Sequence, residues 1–170
     1  MNHTCRQNYP AEIESAINKQ IQLELQAFYY YLSAATYFDK ENVALPGCFK
    51  FFTKSSAEEM DHAQQFINYQ NIRGGTVDFK QLDKCPEWNS PMEVFSRALE
   101  MELQVNESIL QMYKLADELG DQQTTGFLDP FLEEQVKSQK ELSNIITTLK
   151  RVGPSGATLF IFDNHLSLTC

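Results

Sequence analysis

The chain has 170 residues, 42% of them hydrophobic, with only seven glycines and six prolines, which fits one domain with a real core. A formal net charge of −9 argues against nucleic acid or an anionic membrane as the main partner and is compatible with attracting cations. No stretch is long and apolar enough to span a membrane.

Met1 to Pro10 is polar and lacks the apolar centre of a secretory signal. Residues 10–38 read as the first helix, with Pro10 suited to its start. Ile17, Ile21, Glu24, Phe28, Tyr31 and Ala35 recur at steps of three and four, one helical face. Glu24 therefore sits on the apolar stripe, and Tyr31 lies two turns along it. A short polar turn at 39–44 implies an antiparallel neighbour. The second helix spans about Leu45 to Arg73, with the stripe Phe52, Ser55, Glu59, His62, Phe66 and Tyr69. Arg73-Gly74-Gly75 is a stop signal.

Residues 74–90 form a long connection. A helix of about 29 residues is roughly 43 Å long, and about 17 extended residues reach roughly 55 Å. The link can therefore travel the length of the bundle and leave helices two and three parallel. Ser90-Pro91-Met92-Glu93 has the form of a capping box opening the third helix. Its stripe is Ala98, Glu102, Val105, Ile109, Met112 and Ala116, and Gly120-Asp121 closes it. The fourth helix is expected from about Thr125 to Arg151, with Leu128, Gln135, Leu142, Ile145 and Leu149 inward. After the break at Val152-Gly153-Pro154-Ser155-Gly156, a short fifth segment, Ala157 to Thr169, is apolar enough to need an oligomer partner.

Cys5, Cys48, Cys85 and Cys170 are far apart and form no C-x-x-C pair. With no export signal, reduced thiols and a cytoplasmic location are expected. Cys170 is the last residue, so it makes no prenylation box. The sequons Asn2-His3-Thr4 and Asn106-Glu107-Ser108 would go unused in such a chain.

The chemistry lies on the inward stripes. Glu59-x-x-His62 places a carboxylate and an imidazole one turn apart on one face. Di-iron carboxylate bundles use this device. The other long helices add Glu24, Glu102 and Gln135 near mid-helix. Singly, an inward Glu or His is more often a satisfied core residue. Jointly, three carboxylates facing one core nearly demand a shared cation, because a lone buried carboxylate is costly. Oxygen-rich ligation with a single imidazole suits iron better than a zinc-thiolate site does.

On these residues the chain resembles a ferritin subunit of the heavy, ferroxidase-competent type. The likeness runs from Arg6-Gln7-Asn8-Tyr9 to Phe162-Asp163-Asn164-His165. It is carried by Ile21-Gln22-Leu23-Glu24-Leu25, Glu58-Glu59-x-x-His62-Ala63, Gln70-Asn71-x-Arg73-Gly74-Gly75 and Glu134-Gln135-Val136-Lys137. It implies a single all-α domain over residues 1–170: a four-helix bundle with a long crossover between helices two and three and a short fifth helix. It also implies a hollow cage of twenty-four subunits, of this chain alone or mixed with related ones. The implied activity is oxidation of Fe(II) by dioxygen at a di-iron site, with ferric mineral stored inside. By position, Glu24, Glu59 and His62 would hold the first iron. Glu59 would bridge to a second, held also by Glu102 with Gln135 alongside, and Tyr31 would hydrogen-bond into the site and supply an electron.

The chain departs from a symmetric or typical site at several positions. Gln135 and Ser138 stand where a second Glu-x-x-His would complete the pair, so the second iron is expected to be held loosely and to leave for the cavity. Gln64 replaces a frequent Glu, leaving Glu58 and Asp61 as stepping stones and predicting weaker mineral nucleation. Gly126 and Asp129 stand where a pore usually carries two acids, and Pro130 is expected to bend or delay the fourth helix. Both predict slower or rerouted iron uptake. His165 reads as an ordinary packed or exposed histidine. The rival readings are a di-iron oxidase that keeps its metals as a cofactor and a cage subunit without oxidase activity.

Overall fold

The computed structural model describes residues 5–153 and 155–169. The sequon at Asn2, the break residue Pro154 and the terminal Cys170 lie outside them. Five helices follow in order: α1 (Ala11–Phe38), α2 (Pro46–Ile72), α3 (Pro91–Glu118), α4 (Gln122–Val152) and α5 (Ala157–Thr169). No strand occurs among the described residues. None of the helices is long and apolar enough to cross a membrane, and Cys5, Cys48 and Cys85 form no disulfide.

Two apolar clusters fill the bundle, one at each end. α1 gives Ile13, Ile17 and Ile21 to the first and Ala34, Ala35 and Phe38 to the second. α4 follows the same order, Leu128 and Phe131 before Leu142 and Leu149. α2 and α3 run the other way, Phe52 before Phe66 and Phe95 before Ile109. Helices two and three are therefore parallel, as the length of the crossover allows. The crossover is laced to α1 by an amide row one turn apart. The side-chain amides of Asn18, Gln22 and Gln26 donate to the carbonyls of Thr76, Gln81 and Asp83 at 2.9, 2.9 and 3.1 Å. The Trp88 indole N–H closes the row on Ser33 Oγ at 3.0 Å.

Ser90 caps α3 by accepting from the Glu93 N–H at 3.2 Å, while the Glu93 carboxylate accepts from the Asn89 N–H at 3.1 Å. The start of α4 corrects the sequence reading: it lies at Gln122, not near Thr125. Asp121 opens this helix and does not close α3. Its carboxylate accepts from the Thr124 N–H at 3.2 Å and the Thr124 hydroxyl at 2.7 Å. Pro130 does not delay the helix, which is already capped and two turns old when the proline arrives. The ring removes one backbone bond, to the carbonyl of Gly126. Both residues are exposed, so water can take the freed carbonyl.

α5 packs on α2 and α4 through Phe162, Asp163 and Leu166, and leaves Phe160, Ile161 and Leu168 exposed. The buried Asp163 carboxylate accepts from the N–H groups of Gly47 and Cys48, at 3.0 and 2.8 Å. These are orphan donors of the first turn of α2, where negative charge is favoured.

Candidate metal centre

Between the two apolar clusters the helices turn polar at a common depth. The gap holds Glu24 in α1, Glu59 and His62 in α2, Glu102 in α3 and Gln135 in α4, all buried. The stripe of each helix sets this, because a residue three or four places from a core residue faces the same way.

The five side chains fall into two halves. In one, Glu24, Glu59 and His62 each offer a ligand atom, and these atoms lie within 4.8 Å of one another. His62 Nδ1 is 3.4 Å from Glu59 Oε2. Gln20, one turn before Glu24, donates to Glu24 Oε1 at 2.7 Å. In the other half Glu102 is held at both oxygens. The Tyr31 hydroxyl donates to Oε1 at 2.6 Å and the Gln135 amide to Oε2 at 2.9 Å.

Three buried oxygens of this layer have no hydrogen-bond partner among the described residues: Glu24 Oε2, Glu59 Oε2 and Gln135 Oε1. Buried polar atoms are nearly always paired, so three unpaired acceptors in one layer fit a cation. Burial pushes the Glu24 carboxyl well above the usual range, and Glu59 beside it pushes it further. Burial does the same to Glu59, with Glu102 adding to it. The layer holds its negative charge badly alone and must be neutralised by protons or a metal. Burial, then Glu102, also raises the Tyr31 phenol, which keeps it a neutral hydrogen-bond donor.

A cavity of about 250 Å³ opens beside this layer. Tyr31, Glu59, His62, Glu102 and Gln135 line it, with Ser138, Glu58, Glu134 and Glu141 around them. Asp61 is exposed, accepts from Gln65 on its own helix at 2.7 Å, and lines no part of the cavity. Asp129 is exposed on α4 and likewise outside it. Gln64 is turned to Asn68. His165 is exposed.

Two residues escaped the sequence reading. Glu134 Oε2 reaches His62 Nε2 at 3.3 Å. Its signal was the row Glu134, Ser138, Glu141, spaced four and three along α4 beside Gln135. Gln20 is fully buried, and its signal was an amide among Ile13, Ile17 and Ile21.

Residues 14–152 match the family described as ferritin-like domain. Soma ferritin of Lymnaea stagnalis is 51% identical over 164 residues, covering 94% of this chain and 93% of that protein. The middle subunit of ferritin from Aquarana catesbeiana is 41% identical over 165 residues, 94% of each. With the helical bundle and its polar layer, these likenesses show that the chain belongs to the ferritin family.

Proposed function

We propose that this chain is an iron-storage subunit that oxidises Fe(II) with dioxygen inside its own bundle and deposits the ferric product in an oligomeric cage. The observation that carries the reading is the set of unpaired buried oxygens on Glu24, Glu59 and Gln135, beside a single imidazole. Such a donor set suits iron as substrate.

The two halves act differently. Glu24, Glu59 and His62 present open oxygens and a ring nitrogen to the first Fe(II). Glu59 carries the negative field of Glu102 and stands with Glu24 and His62 around one point, which suits a carboxylate shared between two ions. Glu102 is capped by Tyr31 and Gln135 until a second Fe(II) displaces the amide. Gln135 then offers its unpaired carbonyl oxygen. Each Fe(II) gives up one electron to dioxygen, and protons held by Glu24 and Glu59 are released as metal binds. Tyr31 keeps Glu102 aimed through its hydroxyl hydrogen bond. Fe(III) leaves past Ser138, Glu58 and Glu134 toward the open side of the cavity. The exposed Phe160, Ile161 and Leu168 of α5 and Phe79 of the crossover meet other subunits of the cage.

Aerobic iron loading followed by a count of iron per subunit tests this. Very many atoms support storage, and a couple of retained atoms means a resident cofactor. A rate of Fe(II) oxidation unchanged in His62→Ala would leave an oxidase-inactive cage subunit.

A further inference from the structure

We infer that Gln20 is a positioning residue that makes Glu24 a one-oxygen ligand. This rests on reading Glu24, Glu59 and His62 as the metal site. Helical geometry puts Gln20 one turn before Glu24 on the same face. Its side chain is fully buried, and its amide N–H donates to Glu24 Oε1 at 2.7 Å. That leaves Oε2 as the oxygen with no partner. A grip by both oxygens would have to compete with the Gln20 bond for Oε1.

The cost borne by Gln20 is the second observation. Its own Oε1 is buried without a partner, in a row with Ile13, Ile17 and Ile21. A methionine or leucine would fill the place with no orphaned oxygen, and unpaired buried acceptors are destabilising. The amide is accounted for by what its N–H does for Glu24. One-oxygen ligation leaves a coordination position open for dioxygen and lets the metal exchange.

The test is an anaerobic titration of the metal-free, full-length protein with Co(II), read by its visible absorption. The wild type should give a defined band that Glu24→Ala abolishes. Failure of that control sinks the site reading and the role of Gln20 with it, whereas a band that Glu24→Ala does abolish leaves the Gln20 variants to test that role alone. In Gln20→Met, first-site Co(II) affinity should fall roughly 10-fold or more, as for other outer partners of metal ligands, and band intensity should change as Glu24 binds through both oxygens. Gln20→Asn, an amide one methylene too short to reach, should behave the same way. Wild-type affinity and spectrum in either folded variant would overturn the proposal. So would failure of both variants to fold, which makes Gln20 a structural residue.

Discussion

The Nε2 of His62 lies 3.3 Å from the Glu134 carboxylate, a contact that crosses from α2 to α4. The other ring nitrogen faces Glu59, so the imidazole is held between two acids with its edge against Phe131. A histidine that binds metal commonly donates its second N–H to a carboxylate, which fixes ring orientation and tautomer. Glu134→Ala is therefore expected to slow aerobic Fe(II) oxidation about 10-fold. Glu134→Gln keeps an acceptor and should lose less. Initial rates at saturating dioxygen check both, and equal rates for all three proteins would remove Glu134 from the site.

The raised carboxyls of Glu24 and Glu59 have a stability consequence of definite sign. The folded, metal-free chain holds these protons more tightly than the unfolded chain does. As pH rises past the ordinary carboxylate value of about 4.3, the unfolded chain ionises first, and folded stability falls until the raised folded value is passed. Glu24→Gln should accordingly melt higher than wild type at neutral pH in chelator. The gain should vanish below about pH 4, where both carboxyls are neutral. Anaerobic Fe(II) should reverse the order, stabilising wild type and not the variant. Melting curves at both pH values decide it.

The asymmetry of the two halves gives a third expectation. Gln135 and Ser138 both line the cavity, and neither matches the strength of the Glu59 and His62 pair as a ligand. Gln135→Glu combined with Ser138→His should complete a second strong half and retain iron in the bundle. After one aerobic turnover and desalting, the variant should keep more iron per chain and turn over more slowly. Unchanged product release would show that ligand strength in α4 does not govern the exit of iron.

The polar layer was legible in the sequence because helical period fixes depth as well as face. Glu24, Glu59, His62, Glu102 and Gln135 each interrupt an apolar row, and the structure buries all five at one level. The helix ends read less well. Asp121 follows Gly120 and so resembles the tail of α3, yet its carboxylate caps α4. The local pattern can show that a residue faces inward, but not which residue on another helix it meets. Asp163 on Gly47 and Glu134 on His62 join positions far apart in the chain. Arg73 reads in the sequence as part of a helix stop signal, but its guanidinium is buried against Asp121 and the Tyr9 ring.

Arg73 and Asp121 form a buried pair at 3.0 Å, and removing one partner strands the other. The Arg73 guanidinium also donates to the Asn8 carbonyl at 2.8 Å and to Thr124 Oγ1 at 3.2 Å. It thus ties the segment before α1 and the C-cap of α2 to the start of α4. Asp121→Ala removes the cap of α4 and leaves the buried cation without its acid. A loss of about 3–5 kcal/mol is expected from breaking a buried pair. Asp121→Asn keeps a capping acceptor and should lose less. Denaturant unfolding of the metal-free protein separates them.

Gly47 and Asp163 decide whether α5 stays docked. A Cβ built on Gly47 would stand 2.0 Å from the Asp163 carbonyl oxygen, and that neighbour is backbone and cannot rotate aside. Gly47→Ala must therefore push α5 away from the first turn of α2. It must also break the two bonds that Asp163 accepts there. Asp163→Ala removes only the carboxylate, an effect of about 1–2 kcal/mol by analogy with helix caps. The bundle should survive both changes, since α1 to α4 hold most of the two apolar clusters. α5 should not: its amides should exchange with solvent, and the link at Gly153 should become open to protease, more in Gly47→Ala than in Asp163→Ala. Hydrogen exchange and limited proteolysis would show that order. Wild-type protection of α5 in Gly47→Ala would mean that the helix docks by some other contact.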